Sequence, residues 1–173
     1  MMSKKLLCLS IATFSLFAVF LFSPSASAIT PMSFTLTAGA LSISTPTANA
    51  DLGTQVSSTT VSSISGLLGQ VTVTDQRGGT TTWTTSAIAT AFTPGGGPAD
   101  PASNVSYAAG TITDSATVVA TAVNVTNLTG QSTVVTGASS GISTASWNPT
   151  ITVIIPANFA PGIYLATITQ SVA

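Results

Sequence analysis

Val71-Thr-Val-Thr-Asp75-Gln-Arg77-Gly78-Gly-Thr-Thr-Thr-Trp83 is the stretch whose reading decides the fold. Val71 and Val73 alternate with threonines at the period of a half-buried β-strand, and the glycines that follow Arg77 make a turn before the chain sets out again. Asp75 and Arg77 lie two residues apart, hence on one face of the strand. The guanidinium is expected to lower the Asp75 pKa and keep the carboxylate ionised, which suits a structural ion pair pinning the strand-to-turn junction ahead of Trp83.

The same period of two runs outward in both directions. Phe34 and Leu36, then Leu41 and Ile43, alternate with Ser and Thr, as do Val119 with Val123 and Val125, and Ile151 with Val153 and Ile155. Trp147-Asn-Pro149 to Ile155-Pro156 reads as one strand bracketed by prolines, and Pro161-Gly162 to Val172 as the last. β-branched residues dominate, and the usual helix formers Glu and Lys are missing after residue 5. Turn chemistry separates the runs at Ser65-Gly66, Gly78-Gly79, Gly110, Thr129-Gly130 and Pro161-Gly162. The expectation is an all-β fold, an immunoglobulin-like or related β-sandwich of about seven to ten short antiparallel strands. Tyr164, entering a strand just after a turn, fits a tyrosine corner whose hydroxyl ties back to the preceding loop. It equally fits a ring packed at a sheet rim. The longest loop, Thr93 to Ser103, is a candidate binding loop or a tolerated insertion.

The first 28 residues read as a signal peptide. Lys4 and Lys5 precede an apolar run from Leu6 to Phe22, and Ala26-Ser27-Ala28 supplies a small-residue cleavage site. Cleavage after Ala28 leaves one domain over residues 29–173, with no membrane span and no cysteine. It carries Arg77 against Asp51, Asp75, Asp100 and Asp114, a net charge of −3. Nucleic-acid binding, which needs several basic side chains to displace counterions, is excluded. Solubility must rest on hydroxyls and amides, and a surface so poor in charge is prone to association.

Catalysis has little to draw on. Without His, and with no Cys, Lys or Glu after the leader, the chain lacks the common nucleophile-activating bases and most metal ligands. Asp51, Asp100 and Asp114 sit in turn-like contexts where a carboxylate accepts backbone hydrogen bonds. No enzyme, cofactor or metal is expected. Trp83 and Trp147 could stack on sugar rings, but a buried Trp plugging a sandwich is the favoured reading for Trp147 beside its strand.

The run Leu68-Gly69-Gln-Val71-Thr-Val73-Thr-Asp75-Gln-Arg77-Gly78, followed by Trp83, resembles the first half of the WxL domain of Gram-positive cell-surface proteins. There a Val-x-Asp-x-Arg-Gly strand leads to the first Trp-x-Leu motif. Tyr164-Leu-Ala-Thr-Ile168-Thr-Gln-Ser-Val172 is similar to the strand of the second, and with Phe34 to Ile43 and Trp147-Asn-Pro149 the likeness to small secreted actinobacterial WxL-like proteins spans nearly all of residues 29–173. Both motifs are degenerate here: Thr85 stands at the first Leu, and Gln170 and Val172 stand where Trp and Leu are expected. The resemblance implies a β-sandwich held non-covalently on the cell wall, through peptidoglycan. If the altered positions contact glycan, wall binding suffers; if they lie in the core, the fold survives with altered packing.

The expected function is a secreted, non-enzymatic surface protein, extracellular or cell-wall associated. Its partner is peptidoglycan, another wall polymer or other surface proteins, and Asp75, Arg77, Gly78, Trp83, Trp147 and Tyr164 are the candidate structural or wall-binding residues. The alternative is a self-associating subunit of a surface layer or fibre, because strands without lysine guards pair edge to edge.

Overall fold

Alternating Val, Ile, Ser and Thr residues form thirteen strands among the described residues: β1 (Leu41–Ser44), β2 (Ser62–Leu67), β3 (Val71–Asp75), β4 (Thr81–Ala89), β5 (Thr93–Pro94), β6 (Val105–Ala108), β7 (Ile112–Asp114), β8 (Val118–Ala122), β9 (Ser132–Ser139), β10 (Ser143–Trp147), β11 (Thr150–Ile155), β12 (Tyr164–Leu165) and β13 (Ile168–Val172). The structure is a computed structural model that describes residues 26–94 and 98–173. The leader expected over 1–28 lies outside them apart from its last three residues, as does the glycine-rich centre of the 93–103 loop. Met1–Thr35 and Leu36–Ala173 are separate units. Residues 26–35 are exposed and without regular structure, and the strands all belong to the second unit.

Every pairing is antiparallel. One sheet has the order β1-β3-β10-β7, a second β2-β11-β6 and a third β13-β4-β9-β8, with β12 and β5 paired beside it. The first two orders repeat each other. β2 runs into β3, β10 into β11 and β6 into β7, so three long strands are interrupted side by side, at 68–70, 148–149 and 109–111. Pro149 has no N–H to give the ladder. Gly69, at φ 103°, turns its N–H to the Asn148 side chain 3.0 Å away, while Leu68 N–H reaches the Pro149 carbonyl at 2.9 Å. β4 and β13 continue as β5 and β12 past a hydrogen bond from Thr90 N–H to Thr167 O. Five of the thirteen strands thus prolong another, leaving eight in two four-stranded sheets. This lies within the expected seven to ten, and the excess is breakage at shared bends.

Between the sheets lie Val71 and Val73 of β3, Trp83 and Ala87 of β4, Val105 and Tyr107 of β6, Trp147 of β10, and Ile151 and Val153 of β11, all buried. A bulge opposite Thr85 and Ser86 leaves Val134 as an extra residue of β9, and both Val134 and Val135 are buried. Three expectations need correction. Ser65-Gly66 is not a turn but part of β2, paired with Thr152 and Ile151 of β11. Phe34 and Leu36 form no strand, and are 91 % and 88 % exposed. On β8 it is Val118 that is buried while Val119 faces out, because two adjacent valines leave the alternation undecided until pairing with β9 sets it.

Candidate functional site

At the end of β3, Asp75 is fully buried and Arg77 folds back on it. Arg77 Nε donates to Oδ1 and its terminal NH2 to Oδ2, both at 2.9 Å, and the Arg77 backbone N–H reaches Oδ1 at 3.0 Å. Thr81 Oγ1 donates to Oδ2 at 2.7 Å, while the guanidinium also donates to the Thr82 carbonyl. The bond from Arg77, outweighing the cost of burial, holds the Asp75 carboxyl well below the usual carboxylate range, and the carboxylate in turn raises the Arg77 pKa. Gly78 and Gly79, at φ 71° and 67°, make the turn that lets Arg77 and Thr81 meet one carboxylate and Thr82 meet the guanidinium. Every oxygen of the pair is engaged, so this end is a closed clamp.

The two tryptophans lie in the core. Trp83 is 2 % exposed, and its indole fills the space over Gly137, where an added Cβ would fall 2.1 Å from Trp83 Cε2. Thr85, the residue at the first motif's Leu position, is buried beside it on the same strand face. Trp147 Nε1 donates to the Tyr107 hydroxyl at 2.8 Å, and that hydroxyl donates to Gln170 Oε1 at 2.9 Å. Burial pushes the Tyr107 phenol up to about 12, so it keeps the proton it donates. This chain of bonds ties β10 and β6 to β13 of the opposite sheet. Gln170, where the WxL pattern has Trp, serves as an internal acceptor, and Val172 packs against the core. Both tryptophans are therefore unavailable to stack on an external sugar.

Tyr164 is separate from these. Its hydroxyl donates to the Ala160 carbonyl at 2.9 Å, the tie to the preceding loop expected of a tyrosine corner, and its ring stacks on Phe159 with centroids 5.1 Å apart. Asn158, at φ 58°, donates its N–H to Ser58 O at 2.7 Å and turns the chain so that Phe159 enters. The ring pair forms one side of an open groove of about 620 Å³. Residues 49–57 form another side, with Phe92, Ile64, Val153, Ile155 and Asp100 between. Asp100 is buried, bridged to Phe92 through the backbone, and accepts a 2.6 Å bond from Asn104 Nδ2. Burial raises its pKa against the opposing effect of that bond. Asp51, at the groove's rim, caps the Gly53 N–H as a turn residue.

The structure thus gathers Asp75, Arg77 and Gly78 at one junction with Trp83 just beyond, puts Trp147 in the core, and leaves Tyr164 alone at a groove. Missed from the sequence were Phe159, Phe92 and the position of Asp100. Asp100 reads locally as a turn residue, and only its bridge to Phe92 and its Asn104 contact disclose a buried carboxyl. Asp114 accepts from Ala120 N–H across to β8, a longer-range bond than a turn implies. Among the described residues no three His, Cys, Asp or Glu side chains are placed to hold a metal ion, and no helix is long and apolar enough to cross a membrane. Two stacked rings beside carboxyl, amide and hydroxyl groups can hold the apolar face of a sugar and bond its hydroxyls. No protein-family model, curated protein or solved structure matches this chain.

Proposed function

We propose that this is a secreted, non-enzymatic cell-surface protein that associates non-covalently with a wall polymer, peptidoglycan being the foremost candidate. The observation that carries the reading is the groove. Phe159 and Tyr164 offer a ring platform, and Asn49, Gln55, Ser57 and Asp51 offer polar groups around it. A polymer of sugars asks for that mixture and does not ask for charge, which this chain barely has. The leader-like first 28 residues and the partial WxL resemblance point to the same compartment.

Binding through a groove leaves the clamp at Asp75 and Arg77 with a purely structural part. The test is sedimentation with purified cell walls at low salt. The protein is expected in the pellet, and free N-acetylated glycan fragments should release it. Recovery of all the protein in the supernatant would sink the proposal, as would binding that persists unchanged in Phe159→Ala/Tyr164→Ala.

A further inference from the structure

We propose that copies of this chain join head to tail, the segment Met32–Thr37 of one copy adding as a strand to the open edge of β2 in the next. Two independent features meet here. The first is the donor: Met32, Phe34 and Leu36 alternate with Ser33, Thr35 and Thr37, the pattern of a strand with one apolar face, yet all three apolar side chains are 88–94 % exposed. Nothing in the sequence from Ile29 to Ala50 is charged.

The second is the acceptor. β2 pairs with β11 on one side only: β1, the next strand out, pairs with β3 beyond the bend, so the other edge of β2 has no strand partner, although Asp51 and Leu52 pack over Gly66. Six residues, Ser62 to Leu67, present an edge without lysine, proline or bulge, the devices that ordinarily guard such edges. The faces also match. Ile64 looks into the groove and Ser63 and Ser65 look out, so an added strand can set Met32, Phe34 and Leu36 on the groove side and its hydroxyls outside.

Chain length decides between a strand folding back and a strand exchanged. Gly39 and Ala40 are bonded to Gln76, next to the far end of β3. From Gly39 back to Leu36 the chain spans at most about 11 Å. Along the strand path from Gln76 to Leu67 the distance is about 30 Å. Leu36 cannot cover its own β2, so the partner is a second copy, and because donor and acceptor are different surfaces the contact repeats without closing. Cleavage after Ala28 would leave the donor at a free chain end. The inference does not rest on the glycan reading, but the added strand would compete with a glycan for the groove beside Ile64.

The experiment uses the chain from Ile29 in light scattering over rising concentration, with amide hydrogen exchange. Two variants separate the halves: Phe34→Asp/Leu36→Asp removes the donor, and Ser63→Lys/Leu67→Lys guards the edge. All four positions are exposed, and circular dichroism checks the fold of each variant. The parent should grow well beyond the monomer mass, each variant should stay monomeric alone, and an equal mixture should give a dimer, with exchange at residues 62–67 slowed at least tenfold. A parent that remains monomeric at every concentration, a variant that still grows alone, or slowed exchange that spares β2 would overturn the proposal.

Discussion

The strand path from Ser62 to Asp75 connects two ends of the molecule built on opposite terms. At the Asp75 end a buried carboxylate is surrounded by an arginine, a threonine hydroxyl and a backbone N–H, and the turn is shut. At the Ser62 end the sheet edge is bare, and the space beside Ile64 is a groove lined by rings and scattered polar groups. In a chain with so few charges, the one arginine is spent on holding a turn. Recognition, if it takes place at the other end, must use shape, aromatic faces and hydroxyl chemistry.

The sharpest way to break this contrast is Arg77→Ala. It strips a fully buried carboxylate of its counter-ion, and the asymmetry between losing a buried partner and losing an exposed one makes this the largest stability loss expected. Thermal melts should show a deeper fall in Tm than for any other substitution named here, with wall sedimentation at permissive temperature retained. Loss of wall binding with an unchanged Tm would make the clamp the binding end. Asp75→Asn comes next, at about 1–3 kcal/mol, because the part-exposed guanidinium can turn to water.

That variant also carries a pH signature. The folded Asp75 value lies below the ordinary 3.8, so its contribution is complete above that value and is lost as pH falls through the folded one. Melts from pH 5 downward should therefore steepen in the parent below the ordinary carboxylate range and flatten in Asp75→Asn. Equal slopes would show that the pair contributes nothing.

At the groove the order reverses. Phe159→Ala is expected to weaken wall binding several-fold, through loss of about 1 kcal/mol of ring stacking, with only a modest change in Tm. Tyr164→Phe removes one hydrogen bond to Ala160 and should cost about 1 kcal/mol or less in urea unfolding, the smallest effect of the set. A larger cost would mark Tyr164 as a structural corner first and a binding residue second.

The strands legible in the sequence are those with an unambiguous period of two. Val71 and Val73, and Ile151 and Val153, face inward as their spacing requires, as do Ile168 and Val172 at the end of the Tyr164 to Val172 alternation, whereas Tyr164 itself lines the groove. The ion pair was equally legible, since two residues of separation on a strand leave Arg77 little else to reach. Val118 and Val119 were not, because adjacent apolar residues carry no phase. Phe34 and Leu36 have the right phase and no strand to join, since a pattern states which face is apolar without supplying a neighbour. The groove left least trace: Phe92, Asp100, Phe159 and Tyr164 are up to 72 residues apart, and each looks like an ordinary loop or rim residue alone.

The sequence by itself determined an all-β chain with almost no charge and one ion pair at a turn, because periodicity, composition and short-range spacing are local properties. Only the tertiary structure decided that three strands bend together, that Trp83 and Trp147 are core while Tyr164 lines a groove, and that β2 is among the strands with one unpaired edge. Those outcomes depend on which backbone groups find partners across the sheets, and hydrogen-bond pairing between distant segments is not written in any one of them.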